Sequence, residues 1–203
     1  MPRPFTETEK QTIRARLFDA ALEAARTVGL RRTPVEELAR RAGISKGAFY
    51  GFFASKEALW MAMLSEAEAE LRAALRAEAT RGPVERRASA VLRLIFEAVD
   101  QHPMLALLAD PEEQAWLMRA VPAEVMAAAR ADDDVFFGEL LRDLKASGAV
   151  VADVDEAVFA GLPAVALAIA GQRGLIGPSR YEAVRGLVVE GLVARLVPLA
   201  PAS

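Results

Sequence analysis

The stretch TPVEELARRAGISKGAFYGFFASKEAL, residues 33–59, constrains the fold more than any other part of the chain, because it punctuates two short helices and opens a third. Thr33 and Glu36 stand at capping-box spacing with Pro34 between them, so Thr33 is expected to accept from an orphan amide of the first helix. Val35, Leu38, Ala39 and Ala42 then recur on one face. Gly43 follows where a helix must stop, since the left-handed conformation that satisfies the last carbonyls favours a residue without a Cβ. Ile44 is an apolar plug, and Ser45 is expected to cap a second helix whose inward face is Phe49 and Phe53. Ala39 and Gly43 keep the crook between the helices small, while Lys46, Gly47 and Tyr50 stay outside. This is the spacing of a helix-turn-helix.

The segment resembles the DNA-binding motif of the TetR family of bacterial transcriptional regulators. Thr33, Ala39, Ala42, Gly43, Tyr50, Phe53, Ser55, Lys56, Glu57 and Leu59 carry the resemblance, and the tail over residues 53–59 separates this family from other helix-turn-helix proteins. The likeness is sharp over roughly residues 12–64; beyond them it is one of length and helical pattern. It implies a cytoplasmic homodimer that binds a pseudo-palindromic operator, most often as a repressor, and responds to a small apolar or aromatic effector. It also implies that the helix opening at Ser55 joins the DNA-binding part to the regulatory part.

A helix N-terminus in the major groove would bring Lys46, Gly47 and Ala48 to base edges. Thr33 and Ser45 fix the helix starts, and Tyr50 and Lys56 are expected to grip phosphates. Arg31 and Arg32 precede the motif, either along the phosphate path or as solvated loop charges. Gly51 and Phe52 depart from the family pattern, which more often has polar, aromatic or basic side chains there. Gly51 is expected to end the recognition helix, since glycine costs about 1 kcal/mol relative to Ala in a helix interior. Phe52 is expected to pack against the helix from Ser55.

Net charge is −3, an unpromising sign for a DNA binder until it is divided. Residues 1–60 hold 11 Lys/Arg and 7 Asp/Glu, a net of +4, and the remainder carries 14 against 21, a net of −7. The basic charge is therefore local, which is what nucleic-acid affinity requires.

The remaining chain reads as helix throughout, about nine helices in all and no sheet. We expect a DNA-binding domain over residues 1–54 and a ligand-binding and dimerisation domain over residues 55–203. A short arm carrying Arg3 precedes a first helix with Thr6 and Glu9 at capping-box spacing and a stripe of Ile13, Leu17, Ala20, Ala21, Ala24 and Val28. A long helix runs from Ser55 to about residue 79, and Gly82-Pro83 breaks it. His102-Pro103 interrupts the next. One almost wholly apolar helix is expected over residues 158–170, and a last one, capped by Ser179 with Glu182, ends near Leu196. The apolar run is too short for a bilayer, which needs about 20 residues. An all-round apolar helix needs cover on every side, so these two helices are expected to form a four-helix dimer interface through Val158, Leu162, Ala166, Ile169, Val184, Leu187, Val188 and Leu192.

Short helices between long ones commonly wall a cavity. Phe96, His102, Met104, Trp116, Met118, Met126, Phe136 and Phe137 are the candidate pocket residues, although core is the better reading of any one of them taken alone. Catalysis finds little material. His102 is the only histidine and there is no cysteine, so no disulfide or thiolate site exists, and Asp132, Asp133 and Asp134 point about 100° apart on a helix and cannot converge on one metal. No cofactor, catalytic residue or metal is expected, and the N-terminus lacks the apolar segment of an export signal. The second reading is a helical ligand-binding or protein-interaction module that keeps the helix-turn-helix only as structure.

Overall fold

A computed structural model describes residues 5–198, and the arm carrying Arg3 lies outside them. The described residues form twelve helical segments and no strand. They are α1 (Glu7–Val28), α2 (Val35–Ala42), α3 (Lys46–Phe52), α4 (Lys56–Thr80), α5 (Val84–Gln101), α6 (Pro103–Leu108), α7 (Pro111–Ala120), α8 (Ala123–Ala146), α9 (Glu156–Ala160), α10 (Leu162–Gly171), α11 (Arg173–Ile176) and α12 (Pro178–Leu196).

Most starts follow local chemistry. Thr6 and Glu9 form the reciprocal box at α1, Ser45 accepts from the Ala48 amide at 3.0 Å, and Ser55 accepts from the Ala58 amide at 3.1 Å. Gly43 takes a left-handed φ of 74°, and the amide of Ile44 donates to the Ala39 carbonyl at 2.9 Å, closing α2.

Several starts differ from expectation. Thr33 caps nothing: it is buried, and its hydroxyl donates to the Gly29 carbonyl at 2.7 Å, tying the interhelical turn back to the end of α1. Glu36 is then free for Lys46. The last helix begins with Pro178 after Gly177, and no side chain of Ser179 caps it. The apolar run divides at Gly161 into α9 and α10, because Pro163 lacks an amide proton and its ring would clash with the carbonyl one turn back. Gly51 does not end α3, which continues to Phe52. Phe52 meets Phe5 at 5.9 Å between centroids in a tilted pair, and it packs against the first core, which includes Leu59 and Trp60 of α4. Val28 is exposed.

Two apolar cores result. The first gathers Leu17, Leu30, Leu38, Phe49, Leu59 and Trp60 from the N-terminal helices, and Met104, Leu105, Leu108 and Leu117 from α6 and α7 seal it. The second packs α5 against α8, α9, α10 and α12 around Leu92, Phe96, Phe136, Phe137, Leu141 and Phe159, with Leu75 of α4. Helix α4 thus belongs to both, and α6 and α7 lie between the recognition motif and the regulatory bundle. At Gly171 a Cβ would meet the Ala109 carbonyl oxygen at 2.5 Å, so glycine permits α10 to approach the end of α6.

Candidate nucleic-acid interface and internal cavity

The N-terminus of α3 is presented to solvent. Phe49 is fully buried and holds the helix by one edge, and its neighbour Tyr50 meets it edge-on at 5.5 Å while remaining 49% exposed. Ser45, Lys46 and Gly47 are exposed and Ala48 is half-buried, so backbone and short side chains form the tip. The Lys46 ammonium pairs with Glu36 of α2, and this hydrogen bond holds the Glu36 carboxyl below its ordinary range and raises Lys46. Both groups are open to water, so the pair is easily exchanged for another partner.

The basic residues flanking the motif divide. Arg31 and Arg32 are exposed. Lys56 instead turns inward: its Nζ donates to the Arg31 carbonyl at 2.5 Å and lies 5.1 Å from the centroid of the Trp116 ring on α7. Glu113, also on α7, accepts from the Arg31 amide at 3.0 Å.

Beneath α7 lies a cavity of about 400 Å³. Its apolar lining is Leu64, Leu71, Ile95, Val99, Leu105, Leu108, Leu117, Met118, Met126, Phe137 and Leu167, with Ala160, Pro163 and Ala164. The polar groups among the lining residues are Glu68 and Arg72 from α4, Gln114 from α7, and Arg130, Asp133 and Asp134 from α8. Of the candidate pocket residues, Met118, Met126 and Phe137 line this space. Phe96, Met104 and Phe136 are packed in the cores, and Trp116 is turned to Lys56. His102 caps α6, its Nδ1 accepting from the Met104 amide at 3.2 Å, with Nε2 3.6 Å from Glu70. Burial, then repulsion from Asp133, raises the Glu68 carboxyl to about 7, with Arg72 opposing. Among the described residues no group of His, Cys, Asp and Glu is placed to hold a metal ion.

On the far side, Val158, Val184 and Leu187 stand exposed, with Val165 and Leu175. Ile169, Val188 and Leu192 are half-buried. Leu162 and Ala166 face the subunit's own core, because one stripe of α10 is spent on α5.

A sequence profile of bacterial regulatory proteins of the tetR family matches residues 17–63, from the middle of α1 into α4. Residues 17–63 carry the DNA-binding segment of the TetR family. The transcriptional regulator BetI of Escherichia coli O127:H6 is 38% identical over 86 residues, 40% of this chain and 44% of that relative. The chain thus matches less than half the length of these relatives. A TetR-family regulator from Pectobacterium atrosepticum shares the fold with a TM-score of 0.70 at 21% identity, covering 97% of this chain and all of that one. Thermus thermophilus FadR, a TetR-family repressor solved with lauroyl-CoA, superposes with a TM-score of 0.57 at 24% identity, covering 94% and 98%. The whole chain therefore has the fold of TetR-family transcriptional regulators. No helix of the described residues is long and apolar enough to cross a membrane.

Sequence reasoning missed Glu68, Arg72, Gln114 and Arg130, which fall in the polar stripes of their helices. The raised carboxyl of Glu68 is a product of tertiary burial and has no local sequence signal.

Proposed function

We propose that the protein is a cytoplasmic, homodimeric transcriptional repressor. It binds a pseudo-palindromic operator through residues 1–54 and is released by a small, largely apolar effector held within residues 55–203. The observation that carries this reading is the position of α7. Gln114, Leu117 and Met118 line the cavity, while Glu113 and Trp116 on the same helix reach Arg31 and Lys56 beside the motif. A ligand that repositions α7 changes the seat of the helix-turn-helix, and the two recognition helices of a dimer must stay about 34–36 Å apart to enter successive major grooves. Thermus thermophilus FadR, solved with lauroyl-CoA, offers a precedent for a ligand-bound repressor of this fold.

In this reading Lys46, Gly47 and Ala48 approach base edges, Tyr50 and Arg32 meet phosphates, and Val158, Val184 and Leu187 join a second copy. Fragments selected from genomic DNA by the purified protein should yield a palindrome. Lys46→Ala and Tyr50→Ala should each weaken binding to it by on the order of 1–3 kcal/mol with folding and dimerisation intact. Wild-type affinity in both variants overturns the recognition assignment.

The module reading draws on Gly51, which offers no side chain to the DNA backbone, and on the engagement of Lys46 with Glu36. Absence of any enriched fragment would favour it.

A further inference from the structure

The cavity has a charge balance that its apolar walls leave unexplained. Three carboxyl groups, Glu68, Asp133 and Asp134, face two guanidinium groups, Arg72 and Arg130, which leaves one negative charge in excess once Glu68 is ionised. The positive charges are poorly placed to cancel Glu68. Arg72 is committed to Asp133, its Nη2 lying 2.5 Å from Oδ1, and its buried Nε has no acceptor. Arg130 is exposed at the rim. Glu68 is half-buried, and among the described residues no hydrogen bond or ion pair reaches its carboxylate.

We propose that the cavity takes a lipophilic organic cation, an amine or quaternary ammonium with an apolar tail, whose head is seated against Glu68. The inference rests on the effector reading above and names the chemistry of the effector. A space of about 400 Å³ lies in the range of small-molecule sites, and its long apolar wall fits a hydrocarbon or aryl tail. An anionic head would meet uncompensated carboxylate, with the one inward guanidinium already taken. A neutral head would leave Glu68, where it is ionised, without a counter-ion.

The protonation chemistry agrees with this geometry. Desolvation, then the charges of Asp133 and Asp132, hold the Glu68 carboxyl near 7, while Arg72 pulls it down. Asp134 and Arg130 are the remaining charged groups on the wall, and α5, α6, α7 and α10 contribute none. A cation binds the ionised form and so displaces the proton. Its affinity should rise by nearly tenfold per pH unit well below 7 and level off above it.

The test uses the full chain and three probes with one tail: decyltrimethylammonium, 1-decanol and decanoate. Calorimetric titration at about pH 6 and about pH 8 should show the cation tightest by at least about tenfold, with affinity increasing with pH. Glu68→Gln should abolish both the cation preference and the pH dependence, with the helical fold retained by circular dichroism. Three outcomes overturn the proposal: no binding of decyltrimethylammonium, equal or tighter binding of 1-decanol or decanoate, or a cation affinity indifferent to Glu68→Gln. A gel shift on the selected operator separates this from the wider reading. Release by 1-decanol or decanoate alone overturns the charge assignment and leaves the effector reading standing. Glu68-dependent cation binding without any change in operator affinity supports the site and removes its effector role.

Discussion

Lys56, the first residue of α4, holds its ammonium 5.1 Å from the centroid of the Trp116 ring, sixty positions along the chain on α7. The same ammonium donates to the Arg31 carbonyl at 2.5 Å, and Glu113 accepts from the Arg31 amide at 3.0 Å. One face of α7 therefore holds the base of the DNA-reading unit. The other, rotated by about 100° per residue, lines the cavity through Gln114, Leu117 and Met118. A residue expected from sequence to grip phosphate is placed at the junction between the two functions.

This junction predicts a separation of effects. Trp116→Ala should leave operator affinity of the effector-free protein within about threefold, since nothing on the exposed tip of α3 changes. It should reduce the coupling between effector and operator from the usual range of about 1–3 kcal/mol toward zero. Gel-shift titrations with and without effector measure the difference, and intact coupling in Trp116→Ala would remove α7 from the route.

Gly29 tests the same contact through stability. It has a φ of 83°, and a Cβ there would meet Glu113 Oε1 at 2.2 Å. Gly29→Ala should cost about 1–3 kcal/mol from the positive-φ, extended-ψ backbone alone, a region essentially confined to glycine. It should cost more with Glu113 in place than in a Glu113→Ala background, and the double-mutant cycle in urea reads that excess.

The exposed tip invites the opposite kind of change. Glu36 holds Lys46 in an intramolecular pair in full contact with water. Glu36→Gln should free the ammonium and remove a negative charge beside the DNA, tightening operator binding by roughly threefold at low salt and less at high salt. Weaker binding would mean instead that Glu36 positions Lys46 for its base.

What could be foreseen from sequence was whatever local chemistry decides. The Thr6 box, the Ser45 and Ser55 caps and the turn at Gly43 each depend on side chains within a few residues, and all form as expected. The motif over residues 33–59 likewise carried its own family signature. Thr33 failed as a cap because its partner is the Gly29 carbonyl in the preceding turn, a choice set by how α1 meets α2. The cavity was foreseen only in kind. Phe96, Phe136 and Phe137 share an apolar character, but periodicity does not say that Phe137 alone of them faces the void. Nothing local to Glu68 and Arg72 signals that α8 crosses α4 there and brings Asp133 to Arg72.

Glu68 predicts a pH dependence with a definite sign. Its carboxyl is raised to about 7 in the fold from an ordinary 4.5, so between these values the folded state holds a proton that the unfolded chain has released. Its contribution is full below the ordinary value and is lost as pH rises through about 7. Glu68→Gln stays neutral throughout, so its Tm relative to wild type should increase from about pH 5 to about pH 8. A constant difference across that window would mean that Glu68 is not burdened by burial.

Trp60 fills the centre of the first core with no exposed surface, yet its Nε1 has no acceptor among the described residues. Trp60→Phe removes that unsatisfied donor together with some volume, and the two terms oppose, so the change should fall within about 1 kcal/mol. Trp60→Ala should cost about 3–5 kcal/mol by the cavity it leaves. Denaturant unfolding monitored by far-UV circular dichroism distinguishes these, and a Phe variant as costly as Ala would show that the indole nitrogen has a water or partner.

Asp100 near the end of α5 gathers the last helices. It accepts from Arg173 at 2.5 Å, from the Tyr181 hydroxyl at 3.1 Å and from Arg185, and its side chain is only 15% exposed. Burial, followed by the Asp100 charge, raises the Tyr181 hydroxyl, so the phenol stays protonated as a donor. Asp100→Ala leaves the Arg185 guanidinium, itself 20% exposed, facing Arg173 with no anion between them. Breaking a buried pair costs about 3–5 kcal/mol, and the half-exposed Arg173 places the expectation at the lower end. Val184 and Leu187 flank Arg185 on α12 and are exposed, so loosening this helix should also weaken self-association by at least about tenfold in sedimentation experiments. Asp100→Asn can still accept from Tyr181 and should lose less of both. If Asp100→Ala lowers stability while dimer dissociation is unchanged, α12 is anchored by Asp100 but does not form the interface.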